Sequence, residues 1–377
     1  MNALRRGLVG LAGAGLVVGV AAPAASASGT FLGSLTTIST LASTVPAHGA
    51  GAGDVNPYGV AVVPRSVNRL HAGSVLVSNF NAASNFQGTG TTVMEISAGG
   101  RADVFARVSA GHLPGSCPGG VGLTTALSVL SSGWVIVGSL PTSDGTAATA
   151  KAGCLLVLDS HGTVRRTISG GLINGPWDMT ATDHGNTADL FVTNVLNGTV
   201  AGQGEVVNRG TVVRIRLRLH NTDVPVVAGE TVIASGFSER TDPAALIVGP
   251  TGLALDRRHD VLYVADTASN RLAAIPDAQT RTTSAFSGSD VTANGKLNNP
   301  LGLALAPNGN LLSVNAGDGL IVETTRTGAQ VASFTLDTSG TPPATPGSGA
   351  LFGLATAPGG NGVYFVDDAT NTLNRLH

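Results

Sequence analysis

Short apolar segments recur along this chain about every fifty residues, and a turn and a second, bulkier apolar segment follow each of them. The clearest copy begins with the segment 249–256, where Pro250 interrupts the preceding strand. Residues 261–266 form its second segment and residues 270–275 its third. Runs of this length, bounded by Gly, Pro, Asn or Asp, are typical of β-strands. The pattern therefore predicts a repeated unit of short strands joined by tight turns.

Six copies of this unit can be aligned. Outer segments such as 101–108 and 331–336 supply a fourth strand. A repeat of about fifty residues with four antiparallel strands is typical of a β-propeller blade. We therefore predict an all-β, six-bladed β-propeller of four-stranded antiparallel blades. Its innermost strands are expected within residues 56–62, 120–124, 175–180, 249–256, 299–305 and 351–356.

The sixth copy ends after its third strand, near residues 373–376, and this leaves a sheet edge without a partner. Bare edges promote aggregation, and propellers avoid them by closing the ring. The segment at about 31–40 precedes the first blade and alternates loosely between apolar and polar residues. We expect it to pair with 373–376 as the missing outer strand; the alternative is an unstructured linker.

Residues 1–27 have the organisation of an export signal. A basic start leads into the apolar run 8–22, and a small-residue cleavage motif ends at Ala27. The alternative is a membrane anchor, but the run is short for a span of about 20 residues and no charged stop-transfer segment follows. We expect cleavage after Ala27 and a secreted, extracytoplasmic product without a membrane span, in which residues 28–55 lead into a propeller at 56–377.

Charge excludes two classes of partner. Charged residues make up 12% of the chain, the formal net charge is −2, and lysine occurs only at Lys151 and Lys296. A chain without a basic face has no electrostatic basis for binding nucleic acid or an anionic membrane. We expect neither partner, and we expect the protein to be a monomer.

The chain has two cysteines, Cys117 and Cys154. In a chain bound for an oxidising compartment they are expected to form a disulfide; the alternative is a pair of buried thiols. No histidine or further cysteine stands at ligand spacing beside either of them, which argues against a metal site.

One copy carries a resemblance to a known family. Residues 250–256, residues 262–266 and the pair Asn270-Arg271 resemble an NHL repeat almost position for position, and the other copies keep only parts of this skeleton. The resemblance implies a propeller of the secreted bacterial NHL type. It implies no single activity, because NHL propellers include both binding platforms and enzymes.

The connections between second and third strands are long in the first three blades, at residues 80–90, 140–153 and 195–210. In a propeller they lie on the same face as the segments before the first strands. We call this the loop-rich face. Elaborated loops on a rigid scaffold often build a binding surface, so we expect a non-catalytic binding module for a protein or glycan; tolerated decoration is the alternative.

Aromatic residues recur at one position of the repeat, just before the glycine of the first strand. Around the ring this position is occupied by Tyr58, Val121, Trp177, Thr251, Leu301 and Phe352, of which three are aromatic. They are expected at the channel mouth, where aromatic rings can stack on a sugar or another flat ligand; alternatively, they fill the space between inner strands. The candidate ligand-binding residues are therefore Tyr58, Trp177, Asp178, Thr251 and Phe352.

An enzymatic alternative comes from an outline resemblance to gluconolactonase-like six-bladed propellers. That resemblance implies a divalent cation in the channel, held by acidic and amide side chains just ahead of the inner strands. Here those positions are mostly aromatic or aliphatic, and only Asp178 supplies a carboxylate, with Asn56 and Asn299 as amide neighbours. We assign no catalytic residue and no cofactor. The alternatives are calcium and a metal-assisted hydrolase, lactonase or lyase.

Overall fold

A computed structural model describes residues 29–220, 223–340 and 342–377, which form six antiparallel sheets. The predicted export signal at 1–27 lies outside these residues. The described ranges contain short 3₁₀ turns and no α-helix, and none of their helices has the length and hydropathy needed to cross a bilayer. The fold is therefore built almost entirely from strands and turns.

The strands follow one another in the order that the repeat predicts. They are β1 (Ile38–Ser43), β2 (Val55–Val62), β3 (Val75–Asn81), β4 (Thr92–Ile96), β5 (Ala102–Arg107), β6 (Leu123–Val129), β7 (Val135–Ser139), β8 (Cys154–Leu158), β9 (Val164–Ile168), β10 (Pro176–Asp183), β11 (Thr187–Asn194), β12 (Val207–Arg218), β13 (Val226–Asp242), β14 (Leu246–Val248), β15 (Pro250–Asp256), β16 (Val261–Asp266), β17 (Arg271–Pro276), β18 (Ser289–Ala293), β19 (Pro300–Leu305), β20 (Leu311–Asn315), β21 (Leu320–Thr324), β22 (Gln330–Thr335), β23 (Leu351–Thr356), β24 (Val363–Asp367) and β25 (Thr372–Leu376). The 3₁₀ turns are Leu32–Ser34, Ala110–His112, Ala147–Thr149, Val200–Gly202 and Pro358–Gly360.

These strands confirm the predicted six-bladed propeller of four-stranded blades. Blades one to five begin with β2, β6, β10, β15 and β19, and blade six consists of β23, β24, β25 and β1. Blade three differs because it has a fifth strand: β13 is 17 residues long, and its far end folds back to pair with the short strand β14. This hairpin extends blade three on the loop-rich face.

The hydrophobic core lies between the blades. Ile136 and Val157 of blade two, for example, belong to one buried cluster with Leu190 and Val213 of blade three. Side chains on a strand alternate between the two faces of its sheet. Each blade therefore buries one face against the preceding blade and the other against the following blade. The ring is therefore stabilised by contacts between successive repeats.

The inner strands surround a channel with two unequal parts. The wider part has a volume of about 360 Å³ and is lined by the later halves of all six inner strands, so it opens on the face opposite the loop-rich face. A narrow part of about 30 Å³, which we call the throat, lies closer to the loop-rich face.

Blade two begins later than the sequence predicted. Its inner strand starts at Leu123 instead of Gly120, and it carries one more unpaired residue than the inner strand of blade four. Val121, predicted at the channel mouth, therefore lies ahead of the strand, and Thr125 lines the throat. The reason is that Gly122 lies directly against the backbone of the long loop of blade one, which makes this segment a connection between blades.

The ring closes as predicted, through an N-terminal strand. Strand β1 pairs antiparallel with β25, with Ile38 opposite Leu376 and Ser43 opposite Thr372. The pairing strand begins seven residues later than the predicted start at 31, because Phe31 is drawn into a separate contact with blade five. The closing segment is thus attached to two blades.

The contact with blade five centres on Glu323, which is fully buried. Its carboxylate accepts hydrogen bonds from the backbone N–H groups of Phe31 (3.0 Å) and Leu32 (2.8 Å). It also accepts them from the side-chain amides of Asn308 (2.8 Å) and Asn310 (2.6 Å). Burial alone would raise the pKa of Glu323, but these hydrogen bonds together hold it below its usual value. The ionised carboxylate therefore stabilises the docked N-terminal segment.

We expect Glu323→Gln to lower the free energy of unfolding by about 2 kcal/mol at neutral pH, because the amide replaces a charged acceptor and turns a donor toward other donors. A carboxyl whose pKa is lowered by folding stabilises the native state above its unfolded pKa and loses this effect as the pH falls through its folded pKa. The difference between the two proteins should therefore shrink in acid. Urea denaturation at neutral and acidic pH measures it, with the exposed Glu205→Gln as the matched control. Equal stability of wild type and Glu323→Gln at neutral pH would contradict the assignment.

Candidate functional site

Four aromatic side chains fill the channel on the loop-rich side of the throat. Tyr58 stacks between Phe352, at 3.9 Å between ring centroids, and Phe80, at 4.4 Å, and Trp177 meets Tyr58 edge-on at 6.0 Å. All four residues are buried, with exposures of 0 to 7%. We call Tyr58, Phe80, Trp177 and Phe352 the aromatic plug. Edge-to-face contacts such as that of Trp177 with Tyr58 are favourable packing arrangements of aromatic rings.

The hairpin of blade three covers the aromatic plug. Leu246 and Ile247, at the start of β14, belong to the same buried cluster, together with Leu140 from the long loop of blade two. Leu246 adopts a positive φ of 63°, a conformation that is strained for a bulky residue. In this conformation its side chain is buried in the cluster. The sequence indicated neither the hairpin nor its position over the channel.

The structure thus brings together Tyr58, Trp177 and Phe352, three of the predicted ligand-binding residues. Their ring faces contact one another and the neighbouring core, which corresponds to the alternative interpretation in which they fill the channel. Contact of these rings with a ligand stays a prediction. Thr251 is also buried, and its hydroxyl lies 2.7 Å from that of Thr267 and within hydrogen-bond distance of the carbonyl oxygens of Ala265 in its own blade and Leu301 in the next.

Asp178 differs from its counterparts in the ring. It follows Trp177 at the position where Gly252, Gly302 and Gly353 follow the corresponding residues in blades four to six. One carboxylate oxygen accepts the N–H of Met179 (2.7 Å), and the other accepts the N–H of Leu253 in blade four (3.2 Å). Burial raises the pKa of Asp178 to about 7, although the two backbone hydrogen bonds act in the opposite direction. Its side chain lines both the throat and the wider channel.

The throat does not fit a calcium ion of the kind that the gluconolactonase-like resemblance implies. Calcium takes about six to eight oxygen ligands, and here one carboxylate stands among glycines, apolar residues and two threonines. The two predicted amide neighbours, Asn56 and Asn299, are not among the residues that line the throat or the wider channel. Within the described ranges no group of three or more His, Cys, Asp or Glu residues is arranged to hold a metal.

On the loop-rich face the predicted disulfide is confirmed: Cys117 is bonded to Cys154. Cys117 precedes the inner strand of blade two, and Cys154 opens the third strand of that blade. The bond therefore fixes the end of the long loop 140–153 to the entry of its own blade.

The long loops of blades one and two hydrogen bond to each other. Thr142 donates its N–H to Gly88 O (3.0 Å) and its hydroxyl to Gln87 O (2.5 Å). The side chain of Gln87 donates in turn to Pro243 O (3.1 Å) in the blade-three hairpin. Elements from three blades are thus joined into one surface.

A groove of about 330 Å³ lies on this surface, between the long loop of blade two and the blade-three hairpin. Phe86, from the blade-one loop, packs next to Gly145 at its edge and is 50% exposed. Sequence reasoning placed a binding face here but missed the groove; the turn-forming pair Asp242-Pro243 was the available signal. The groove is lined by Gly145, Thr146, Ala147, Thr241, Asp242 and Pro243.

Comparison with known proteins defines the class of the fold. The chain matches no protein-family model, and a search of curated proteins finds no relative. Solved structures of six-bladed propellers do match. At such low identity they show the fold alone, and the NHL resemblance remains one of residues.

Three of these structures illustrate the range. A gluconolactonase from Xanthomonas campestris is 14% identical, with 86% of each chain covered and a TM-score of 0.53. A luciferin-regenerating enzyme is 11% identical, with 90% of this chain and 94% of that chain covered and a TM-score of 0.53. A calcium-binding protein, regucalcin, from Agrobacterium tumefaciens is 13% identical, with 86% and 91% covered and a TM-score of 0.51. This chain thus has the fold of gluconolactonase-like six-bladed propellers.

Proposed function

We propose that the protein is an exported, non-catalytic binding module that engages a protein ligand through the loop-rich face of blades one to three. The observation that carries this proposal is Phe86, a half-exposed aromatic residue whose Cα and Cβ lie against Gly145 at the edge of a groove of about 330 Å³. Aromatic side chains at such positions are frequent anchors of protein interfaces. The disulfide suits the oxidising compartment that the predicted export signal implies.

The loops are already ordered for binding. Hydrogen bonds join the loop of blade one to those of blades two and three, the disulfide fixes one loop end, and Leu246 anchors the hairpin in the core. A surface that is ordered before binding loses less conformational entropy when the ligand arrives. This supports recognition in place of loosely tolerated decoration.

Between the two predicted ligand classes, the groove favours protein over glycan. Its walls include Ala147 and Pro243, and its nearest carboxylates are already occupied. Asp144 accepts hydrogen bonds from Thr146 and Thr149, and Asp242 accepts them from Arg240 and from backbone N–H groups. A glycan site needs free polar groups to meet sugar hydroxyls, whereas an apolar side chain of a polypeptide fits this surface without them.

The alternative is a metal-assisted hydrolase, lactonase or lyase. It is supported by similarity of fold, and one fold hosts many unrelated activities. The single carboxylate at the throat does not support it. Turnover of a lactone panel that depends on added divalent cation would favour this alternative over the binding module.

The proposal is tested by selecting peptides from a displayed random library on the mature protein and measuring their affinity for wild type, Phe86→Ser and Phe286→Ser. Phe286 is 79% exposed and lies in the outer connection of blade four, so it is the matched control. We expect Phe86→Ser to weaken binding at least about tenfold, since buried aromatic anchors contribute about 2 kcal/mol or more. Phe286→Ser should have no effect.

Three outcomes would overturn the proposal. Selection that yields no specific peptide, or peptides that bind Phe86→Ser as well as wild type, would remove the loop-rich face as a protein-binding site. Glycans of an array that bind wild type and lose binding in Phe86→Ser would replace the protein ligand with a sugar.

A further inference from the structure

The wider part of the channel forms a second concave surface, separate from the loop-rich face. Its volume of about 360 Å³ is within the range of about 300–1,000 Å³ that is usual for small-molecule pockets. The aromatic plug closes it on one side, and the throat of about 30 Å³ leaves room for about one water molecule. A ligand would therefore enter from the opposite face.

Asp178 stands at the closed end of this cavity. Among the residues that line the wider channel and the throat it is the one titratable group, and the other lining side chains are apolar or hydroxyl-bearing. Among the described residues its carboxylate has no cationic side chain as a partner and accepts hydrogen bonds from backbone N–H groups alone. Each oxygen retains a lone pair for a further donor.

Packing does not require a carboxylate at this position. Blades four to six carry glycine there, and glycine allows the inner strands to approach closely. Asp178 is half-buried at the channel, and withdrawing a carboxylate from water without a cationic partner disfavours the folded state. A strongly perturbed acid inside a cleft is a physical indicator of a functional site, and burial raises the pKa of Asp178 to about 7.

The walls offer further hydrogen-bond acceptors. Each inner strand is the edge strand of its sheet and pairs on one side only, so its other edge turns backbone N–H and C=O groups toward the channel. The carboxylate together with some of these carbonyl groups can accept hydrogen bonds from a group that carries one positive charge and several N–H donors. An anion would be repelled, and one carboxylate provides too few ligands for a divalent metal.

We propose that the wider channel is a binding site for a small organic cation, an alkyl- or arylalkylammonium compound, with Asp178 as its counter-ion. The ammonium group pairs with the carboxylate at the closed end, and the carbon skeleton lies along the apolar walls toward the open face. This site does not depend on the proposed function of the loop-rich face.

The test uses the mature protein with butylammonium, benzylammonium and phenethylammonium as probes, and benzyl alcohol as a neutral compound of similar shape. Binding is followed by calorimetry and ligand-observed NMR at about pH 8 and low salt. We expect at least one ammonium probe to bind wild type, and Asp178→Asn to weaken this binding by at least about tenfold, as expected for a buried charge pair. Phe86→Ser should bind the probe as wild type does.

Two further measurements make the outcome independent of a single variant. Asp178→Gly carries the residue found at this position in blades one, four, five and six and should also lose binding, with its fold checked by circular dichroism. In wild type, affinity should decrease from about pH 8 to about pH 6 as the carboxylate is protonated, and saturating probe should lower the NMR titration midpoint of Asp178. Three outcomes would overturn the proposal: no binding of any ammonium probe to wild type, equal binding to Asp178→Asn, or a midpoint that the probe does not move.

Discussion

Replacing both cysteines, as Cys117→Ala/Cys154→Ala, is expected to lower the free energy of unfolding by about 4 kcal/mol. The two residues are 37 positions apart in the chain. A cross-link that closes a loop of this length lowers the conformational entropy of the unfolded state, which corresponds to about 4 kcal/mol at 25 °C. Chemical denaturation of oxidised wild type and of the double variant measures the difference.

Reduction provides the control for this experiment. Dithiothreitol should lower the stability of wild type to that of the double variant and should leave the double variant unchanged. If oxidised wild type and the double variant unfold at the same denaturant concentration, the bond does not restrict the unfolded chain as proposed. Since the bond fixes loop 140–153, we also expect the double variant to bind loop-face peptides more weakly.

Gly302→Ala is expected to destabilise the protein by about 3 kcal/mol, the upper part of the usual range for overpacking a close contact. A Cβ atom at Gly302 would lie closer than 3.0 Å to the carbonyl oxygen of Phe352 in blade six and to a side-chain carbon of Leu354. Backbone on the neighbouring inner strand cannot move aside without opening the ring.

Gly229→Ala is the matched control. Gly229 lies in an exposed part of β13, has no positive φ, and a Cβ there would meet nothing within 4 Å. Alanine should therefore leave stability unchanged or raise it by about 0.5 kcal/mol through the unfolded state. Thermal and urea unfolding of both variants distinguish these expectations, and equal stability of the two variants would refute the close-contact argument.

The same contact explains why the repeat could be recognised at all. Gly252, Gly302 and Gly353 each have a carbonyl oxygen of the following inner strand where a side chain would be. Closure of six strands around a narrow channel imposes this requirement on successive blades, so it appears in the sequence as a period. The blade number, the four-stranded blades and the closure of the ring could therefore be predicted from the sequence.

Features that depend on contacts between distant residues could not be predicted in this way. Glu323 holds Phe31 across 292 positions, and this contact moved the start of the closing strand. Gly122 lies against the loop of the preceding blade and moved the start of blade two. In each case a single tertiary contact shifted a boundary that local periodicity had placed elsewhere.

The candidate sites divide in the same manner. The sequence indicated the long loops, the cysteine pair and the recurring aromatics, because each is visible as composition or spacing. The tertiary structure decided that Tyr58 and Phe352 face each other, that Phe86 is exposed beside a groove, and that Asp178 lies at the closed end of a cavity. Repetition along a chain reports what every blade must satisfy, whereas burial and exposure of one side chain depend on which non-repeating segments pack over it.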